Sequence, residues 1–339
     1  MSANMKDIAL RCGVSIKTVS NVINHMPSVG EKTRKAVLEA VRELNYVPNI
    51  QARSLVMKQP AAKSQLGYRI GCIFPNGTGK YDNTYFTMIF KGIEEEIITQ
   101  EQQLSFISPA AELEENPLKM NWMLAPEQTD AVISFVGPDH PIFERFSKLP
   151  FILIGGEWKD YETVCIDKSG GTAELFHHLY DLGHRDIAYI GPLNDRRCRA
   201  FRFEAMQYGI SLRDDCMIES GDWEIESGYT SAKRLLALAQ RPTAVFAAND
   251  RLAFGIMHEL QDAGLRIPCD ISVAGYDNLP ESQIIYPALT TVDINKEGTG
   301  RLAVQLLLER IRNPQRENVI HTLPTKLIVR KSTGKVIKQ

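Results

Sequence analysis

Apolar residues in the first 45 positions recur at three- and four-residue spacing in three short blocks. Ile8, Ala9 and Cys12 form one stripe, stopped by Gly13. Val19, Val22 and Ile23 form a second, which starts after Ser15, a residue suited to capping a helix, and closes near Asn24 and Pro27. Val37, Val41 and Leu44 form a third after Gly30. Three short helices, the first two joined by Gly13-Val14-Ser15, predict a small all-α helix-turn-helix domain. From Tyr68 the pattern changes. Short β-rich runs at 68–74, 103–107, 131–135, 151–154, 186–190, 243–247 and 271–275 alternate with amphipathic stretches such as 88–99, 171–182, 227–240 and 252–263. This alternation predicts an α/β core with parallel sheets covered on both faces. About 270 residues exceed what one such sheet needs, so two lobes are expected.

Charge divides the chain in the same way. The formal net charge of −2 is the sum of +6 over residues 1–65, ten basic against four acidic, and −8 over the rest. A basic module on an acidic body points to nucleic-acid contact at one end. With 44% hydrophobic and 24% charged residues, disordered and fibrous classes are excluded. The longest apolar runs fall far short of the ~20 residues that span a bilayer, so no membrane partner is expected. Lys6 and Asp7 interrupt the N-terminus before any apolar stretch, and the expected compartment is the cytoplasm. The six cysteines are scattered without a C-x-x-C pair, which predicts neither a metal site nor a disulfide framework. No cofactor is expected.

The second helix presents Ile16, Lys17 and Asn21 outward to read base edges, with Ser15, Thr18 and Ser20 available to phosphate oxygens. The strings Lys6-Asp7-Ile8-Ala9, Gly13-Val14-Ser15, Thr18-Val19-Ser20, Val22-Ile23-Asn24, Thr33-Arg34 and Glu43-Leu44-Asn45-Tyr46-Val47-Pro48-Asn49 resemble the DNA-binding domain of LacI/GalR-family transcriptional repressors. The resemblance adds Asn24, Tyr46 and Ala52 to the expected DNA contacts. It departs at Asn21, where many relatives carry Arg or His. It also implies that the Ala52-Arg53-Ser54-Leu55 segment folds into a hinge helix when two copies meet in the minor groove, with Leu55 wedged between central base pairs. An apolar side chain there unstacks a base step and kinks the duplex.

The body resembles the same family's two-lobed core, which is similar to periplasmic sugar-binding proteins. The matching strings include residues 182–191, Gly221-Asp222-Trp223, Arg241-Pro242-Thr243-Ala244-Val245-Phe246, Asn249-Asp250, residues 271–277 and residues 287–292. Such cores cross between lobes three times, here expected near residues 165–167, 293–294 and 321–322. The organisation that follows is a DNA-binding domain at 1–46, a hinge and linker at 47–65, and an effector-binding and dimerisation core at 66–339. The first lobe takes residues 66–164 and 294–321, the second 165–293 and 322–339.

The resemblance assigns effector contacts to Asp277, Asn249, Trp223 and Arg202, with Asp167, Tyr85 and Phe86 as further candidates. Asp277 and Asn249 follow the C-terminal ends of expected strands, where open α/β sheets bind ligands. Asp277 can accept hydroxyl protons, and Trp223 offers a flat apolar face to a sugar ring or base. The basic string Arg196-Arg197-Cys198-Arg199-Ala200-Phe201-Arg202 suits either a phosphate- or carboxylate-bearing effector or a solvated loop.

Enzyme readings fail on the residues. Asn76-Gly77-Thr78-Gly79-Lys80 imitates a phosphate loop, but Phe74 stands at the first glycine position and Tyr81 replaces Ser/Thr. His177, His178 and His184 form no H-E-x-x-H, and no G-x-S-x-G occurs. The expected protein is a homodimeric, non-enzymatic repressor that binds a pseudo-palindromic operator under control of a small molecule, a carbohydrate first. The alternatives are a purine- or nucleoside-responsive regulator and a sugar-binding or sugar-modifying protein on the same core. Residues 331–339 lack leucine heptads that would build a higher oligomer.

Overall fold

The computed structural model describes residues 5–23, 29–44, 67–75 and 83–336. Asn24, Tyr46, Ala52 and Leu55 lie outside the described residues. The chain divides into two compact units, Met1–Gln65 and Leu66–Gln339.

In the first unit, α1 (Met5–Cys12), α2 (Ile16–Ile23) and α3 (Glu31–Glu43) enclose Ile8, Ala9, Val19, Val22, Val37 and Ala40. Gly13 takes φ +63°, a left-handed conformation that ends α1 and lets the Val14 N–H reach back to the Ala9 carbonyl at 3.0 Å. Ser15 caps α2, its Oγ accepting from the Thr18 N–H at 3.0 Å.

The second unit runs β1 (Arg69–Phe74), α4 (Thr84–Thr99), β2 (Gln103–Pro109), α5 (Ala110–Glu115), α6 (Pro117–Met123), β3 (Ala131–Ser134), α7 (Phe143–Phe146), β4 (Phe151–Ile154) and β5 (Thr163–Ile166). It continues through α8 (Lys168–Asp181), β6 (Ile187–Ile190), α9 (Arg196–Gln207), β7 (Met217–Ile218), α10 (Ile225–Leu236), β8 (Ala244–Ala247), α11 (Asp250–Asp262) and β9 (Ser272–Ala274). The remaining elements are α12 (Glu281–Ile284), β10 (Thr291–Asp293), α13 (Lys296–Arg312), β11 (Ile320–Leu323) and β12 (Lys326–Ile328). Two parallel sheets result, as the alternating pattern predicts. One has the order β11-β5-β4-β3-β1-β2 and the other β7-β6-β8-β9, while β10 and β12 pair antiparallel as a separate two-stranded sheet. Side chains alternate along β1, so Ile70, Cys72 and Phe74 face α4 and α13 while Ile73 faces α5, α6 and α7.

Two expected crossovers shift by a few residues. Cys165 and Ile166 complete β5, and the chain leaves that sheet at Asp167. His321 and Thr322 are hydrogen-bonded within β11 opposite Val164 and Cys165, so the third crossing falls between Leu323 and Lys326. Ladder bonds along a short edge strand outlast its weak apolar pattern.

Helices α4 and α13 cross at a point where only glycine fits. A Cβ on Gly92 would sit 2.0 Å from the Glu297 carbonyl oxygen, and one on Gly300 would sit 2.2 Å from that of Ile89. Because both obstacles are backbone, Gly92→Ala is expected to destabilise the core by about 1–3 kcal/mol through overpacking. A urea midpoint unchanged from wild type would contradict this.

Candidate functional site

In the helical unit, Ile16 and Lys17 are exposed on the first turn of α2, and Thr18, Ser20 and Asn21 follow half-buried. Lys17 therefore stands clear of its own core at a helix N-terminus, where backbone N–H groups attract phosphate. Ser15 is already engaged: besides capping α2, its hydroxyl lies 2.9 Å from that of Thr18.

In the larger unit, the chemistry gathers around a buried guanidinium. Asp195 caps α9 by accepting from the Arg197 N–H at 2.9 Å, and the same Oδ1 accepts from Arg197 Nε at 2.8 Å. Arg197 Nη1 donates to the Ala248 carbonyl at 2.7 Å and lies 3.8 Å from Asp277 Oδ1. Its guanidinium sits 4.4 Å above the Trp223 ring and 5.2 Å from that of Tyr276. Asn249 caps α11, accepting from the Leu252 N–H at 2.8 Å, while its Nδ2 donates to the Trp223 carbonyl at 3.1 Å. Lys168 Nζ lies 3.7 Å from Asp195 Oδ2.

Asp277 is held from behind. It adopts φ 111° and the next residue, Asn278, φ 51°, turning the chain sharply after β9. Lys296, in the first turn of α13 and 2% exposed, donates to the carbonyls of both residues, that of Asn278 at 3.2 Å. Burial pushes the Asp277 carboxyl up to about 6, against the pull of Arg197, Lys296 and Lys168. Burial acts on Asp195 in the same direction, but its direct bonds to Arg197 outweigh it and hold that carboxyl at about 2. Lys168 is pushed below the usual lysine range by burial and by Arg197.

The other lobe reaches into this cluster through Tyr85, which packs against both hydrophobic cores. Burial and the charge of Asp277 raise its hydroxyl pKa well above the ordinary tyrosine value. Two further contacts link the lobes: Thr84 Oγ1 donates to Glu281 Oε1 at 2.8 Å, and Arg196 forms an ion pair with Glu157. Beside them opens a polar recess of about 480 Å³ lined by Gly155, Gly156, Cys165, Lys168, Asn194 and Arg196.

Asp277, Asn249, Trp223 and Tyr85 are thus brought together, but Arg202 and Phe86 are not. Arg202 lies exposed on the outer face of α9, and Arg197 takes the inward place expected of it. Asp195 as a cap fixes the start of α9 and turns residues 197, 198, 201 and 205 inward; Arg202, one residue past Phe201, is rotated about 100° away. The cap signature Asp195-Arg196-Arg197 was the available signal. Phe86 belongs to the first lobe's aromatic core, 6.3 Å from Phe74 and 5.4 Å from Phe135 between ring centroids. Asp167 caps α8, accepting from the Gly170 N–H at 2.8 Å, and its carbonyl accepts from the Tyr276 hydroxyl at 3.5 Å, so it borders the cluster. The solvated-loop reading of residues 196–202 also fails, since they form a helix with Arg197 at its core-facing side.

Residues 4–49 match the bacterial regulatory proteins of the lacI family, and residues 176–333 match a periplasmic binding protein-like domain. The HTH-type transcriptional repressor PurR of Proteus mirabilis (strain HI4320) is 32% identical over 344 residues, covering 98% of this chain and 97% of that protein. The chain belongs to the LacI family. Among solved LacI-family structures, the lac repressor dimer bound to operator and the anti-inducer ONPF superposes with a TM-score of 0.83 at 26% identity, over 98% of this chain and 100% of that one. The CelR–cellobiose complex gives 0.70 at 26% identity, over 97% and 99% of the two chains. A LacI-family regulator from Enterococcus faecium with bound ribose gives 0.68 at 28% identity, over 79% and 100%. Like its LacI-family relatives, the protein is a DNA-binding transcriptional repressor and not an enzyme. No helix among the described residues is long and apolar enough to cross a membrane.

Because the folded-state pKa of Asp277 lies above that of an unfolded aspartate, its charged form costs stability at neutral pH. That cost falls away as pH drops from above 6 towards 4. The stability of wild type relative to Asp277→Asn is therefore expected to improve by up to about 1.4 kcal/mol per pH unit across this window. Parallel denaturation profiles of the two proteins between pH 7.5 and 4.5 would refute the assignment.

Proposed function

We propose that this LacI-family repressor acts in the cytoplasm as a homodimer on a pseudo-palindromic operator, each α2 reading one half-site and Leu55 of each hinge bending the centre. A small molecule bound between the lobes controls operator affinity. The observation that carries the sensor reading is the Asp277–Arg197 pair, enclosed between the lobes against Trp223 and Tyr85. Paired acceptor and forked donor suit vicinal hydroxyls, and the adjoining recess is lined mainly by polar groups. Both favour a sugar or sugar derivative. Ligand-dependent change in the lobe contacts Thr84–Glu281 and Glu157–Arg196 would alter the spacing of the two hinges.

A second reading, a purine effector, is favoured by the 32% identity to a PurR repressor over nearly the full chain. A planar base would then use the Trp223 face in place of the Arg197 guanidinium.

Thermal unfolding and operator anisotropy with ribose, cellobiose, sugar phosphates, guanine and hypoxanthine separate the two readings. A ligand at one hundred times its Kd should add about 2.7 kcal/mol of stability and shift operator affinity. Asp277→Ala is expected to abolish that response while effector-free operator binding persists; a full response in this variant sinks the site. For the head, Lys17→Ala should weaken operator binding by about 1–3 kcal/mol if it reads a base. An equal loss on unrelated DNA would instead make Lys17 a phosphate contact.

A further inference from the structure

The recess between the lobes carries a charge opposite to that of the body around it. Residues 66–339 sum to −8, yet the recess of about 480 Å³ is lined by Lys168, Arg196 and Arg199 against Glu157 and Asp195. Asp195 is already committed: its Oδ1 takes both the backbone N–H and the Nε of Arg197, a fourth cation behind the wall. Setting that pair aside leaves 3 − 1 = +2 at the recess. Lys168 and Arg196 are also the first residues of α8 and α9, so two helix N-termini add their partial positive charge from the second lobe. The Lys168 ammonium is depressed first by burial and then by Arg197, as expected where cations repel one another.

One carboxylate stands in the way. Glu157, which follows β4 in the first lobe, is ion-paired with Arg196 of the second. Their side chains are 38% and 41% exposed, and pairs this open to water hold weakly. A stronger anion reaching Arg196 would replace Glu157.

We propose that the recess takes the phosphate group of a small phosphorylated effector, and that this phosphate displaces Glu157 from Arg196 and so releases a contact between the lobes. The proposal rests on the reading of the inter-lobe cleft as the effector site, and names the class of ligand it takes. A phosphate monoester carries about −1.5 to −2 at pH 7, which answers the +2 of the recess, whereas a carboxylate leaves one cation unanswered. Its three terminal oxygens offer one acceptor to each of Lys168, Arg196 and Arg199, and the forked guanidinium suits it in particular. The recess is also large enough to enclose a small ligand. Asp195 lines it and binds Arg197, so the sugar or base of the same molecule can reach the Arg197–Asp277 pair next door. Once displaced, Glu157 and the bound phosphate repel each other across the cleft.

The probe is inorganic phosphate, titrated into the full-length protein by calorimetry at constant ionic strength. Binding should saturate, and Lys168→Gln and Arg199→Gln should each weaken it about tenfold. Glu157→Gln removes the competitor and should tighten it about threefold or more, whereas Glu317→Gln, exposed before β11 at the opposite edge of that sheet, should leave it unchanged. A cooperative urea transition shows that each variant folds, and Arg199, already exposed, serves if Lys168→Gln does not. Absence of phosphate binding, or equal affinity in wild type, Lys168→Gln and Arg199→Gln, overturns the proposal. Equal gains in Glu157→Gln and Glu317→Gln overturn the displacement of Glu157. Ribose, ribose 5-phosphate, glucose and glucose 6-phosphate separate this failure from that of the effector site itself. If a neutral sugar shifts operator affinity through Asp277 while phosphate does not bind, the effector site stands and the phosphate subsite falls. If phosphate binds as described but none of the four sugars shifts operator affinity, the anion site stands and its part in regulation falls.

Discussion

The sensor core depends on keeping the charge of Arg197 out of water. A buried guanidinium is tolerated only when its donors and its charge are answered on several sides. Here the answers come from four separate places: the Asp195 cap of α9, the Ala248 carbonyl at the end of β8, the Trp223 ring before α10, and Asp277 after β9. Each stands at or near the C-terminal edge of the four-stranded sheet. Satisfying one ion therefore draws these loops to a common point, and the Asn249 cap of α11 ties Trp223 to the same place.

The arrangement also explains why the second lobe can sense its neighbour. Tyr85 closes over the cluster from the first lobe, and Lys296, rooted in α13 of that lobe, bonds the backbone of Asp277 itself. Any displacement of the 277–278 turn is felt at the start of a helix that crosses α4 at glycine distance. A close-packed crossing of this kind transmits displacement and absorbs little of it.

The division into a basic helical head and an acidic α/β body was legible from periodicity and charge alone, because both elements of the head's turn, Gly13 and Ser15, have local physical signatures. Most strand positions were legible for the same reason: fully buried parallel strands are continuous apolar runs. The strands missed, β5, β7, β10, β11 and β12, are only two to four residues long, too short to stand out as apolar runs. Arg197 was missed for a different reason. Hydrophobic periodicity sorts arginine to the outside, so a buried arginine paired to its own helix cap is invisible to it, and family likeness drew attention to Arg202 instead. Phe86 shows the converse: a residue type suited to ligands that the fold uses as packing.

The threefold crossing of the chain bears on the order of biosynthesis. Strand β11, residues 320–323, is an edge of the sheet that begins with β1, and α13 covers that sheet's face. On the ribosome, every strand of the second sheet has emerged before these pieces exist. The lobe made first is thus the lobe finished last, and until then only α4 covers that face of its sheet. A nascent chain in that state exposes Ile133, Ile152 and Ile154, which α13 later covers, and this is the kind of surface that chaperones hold.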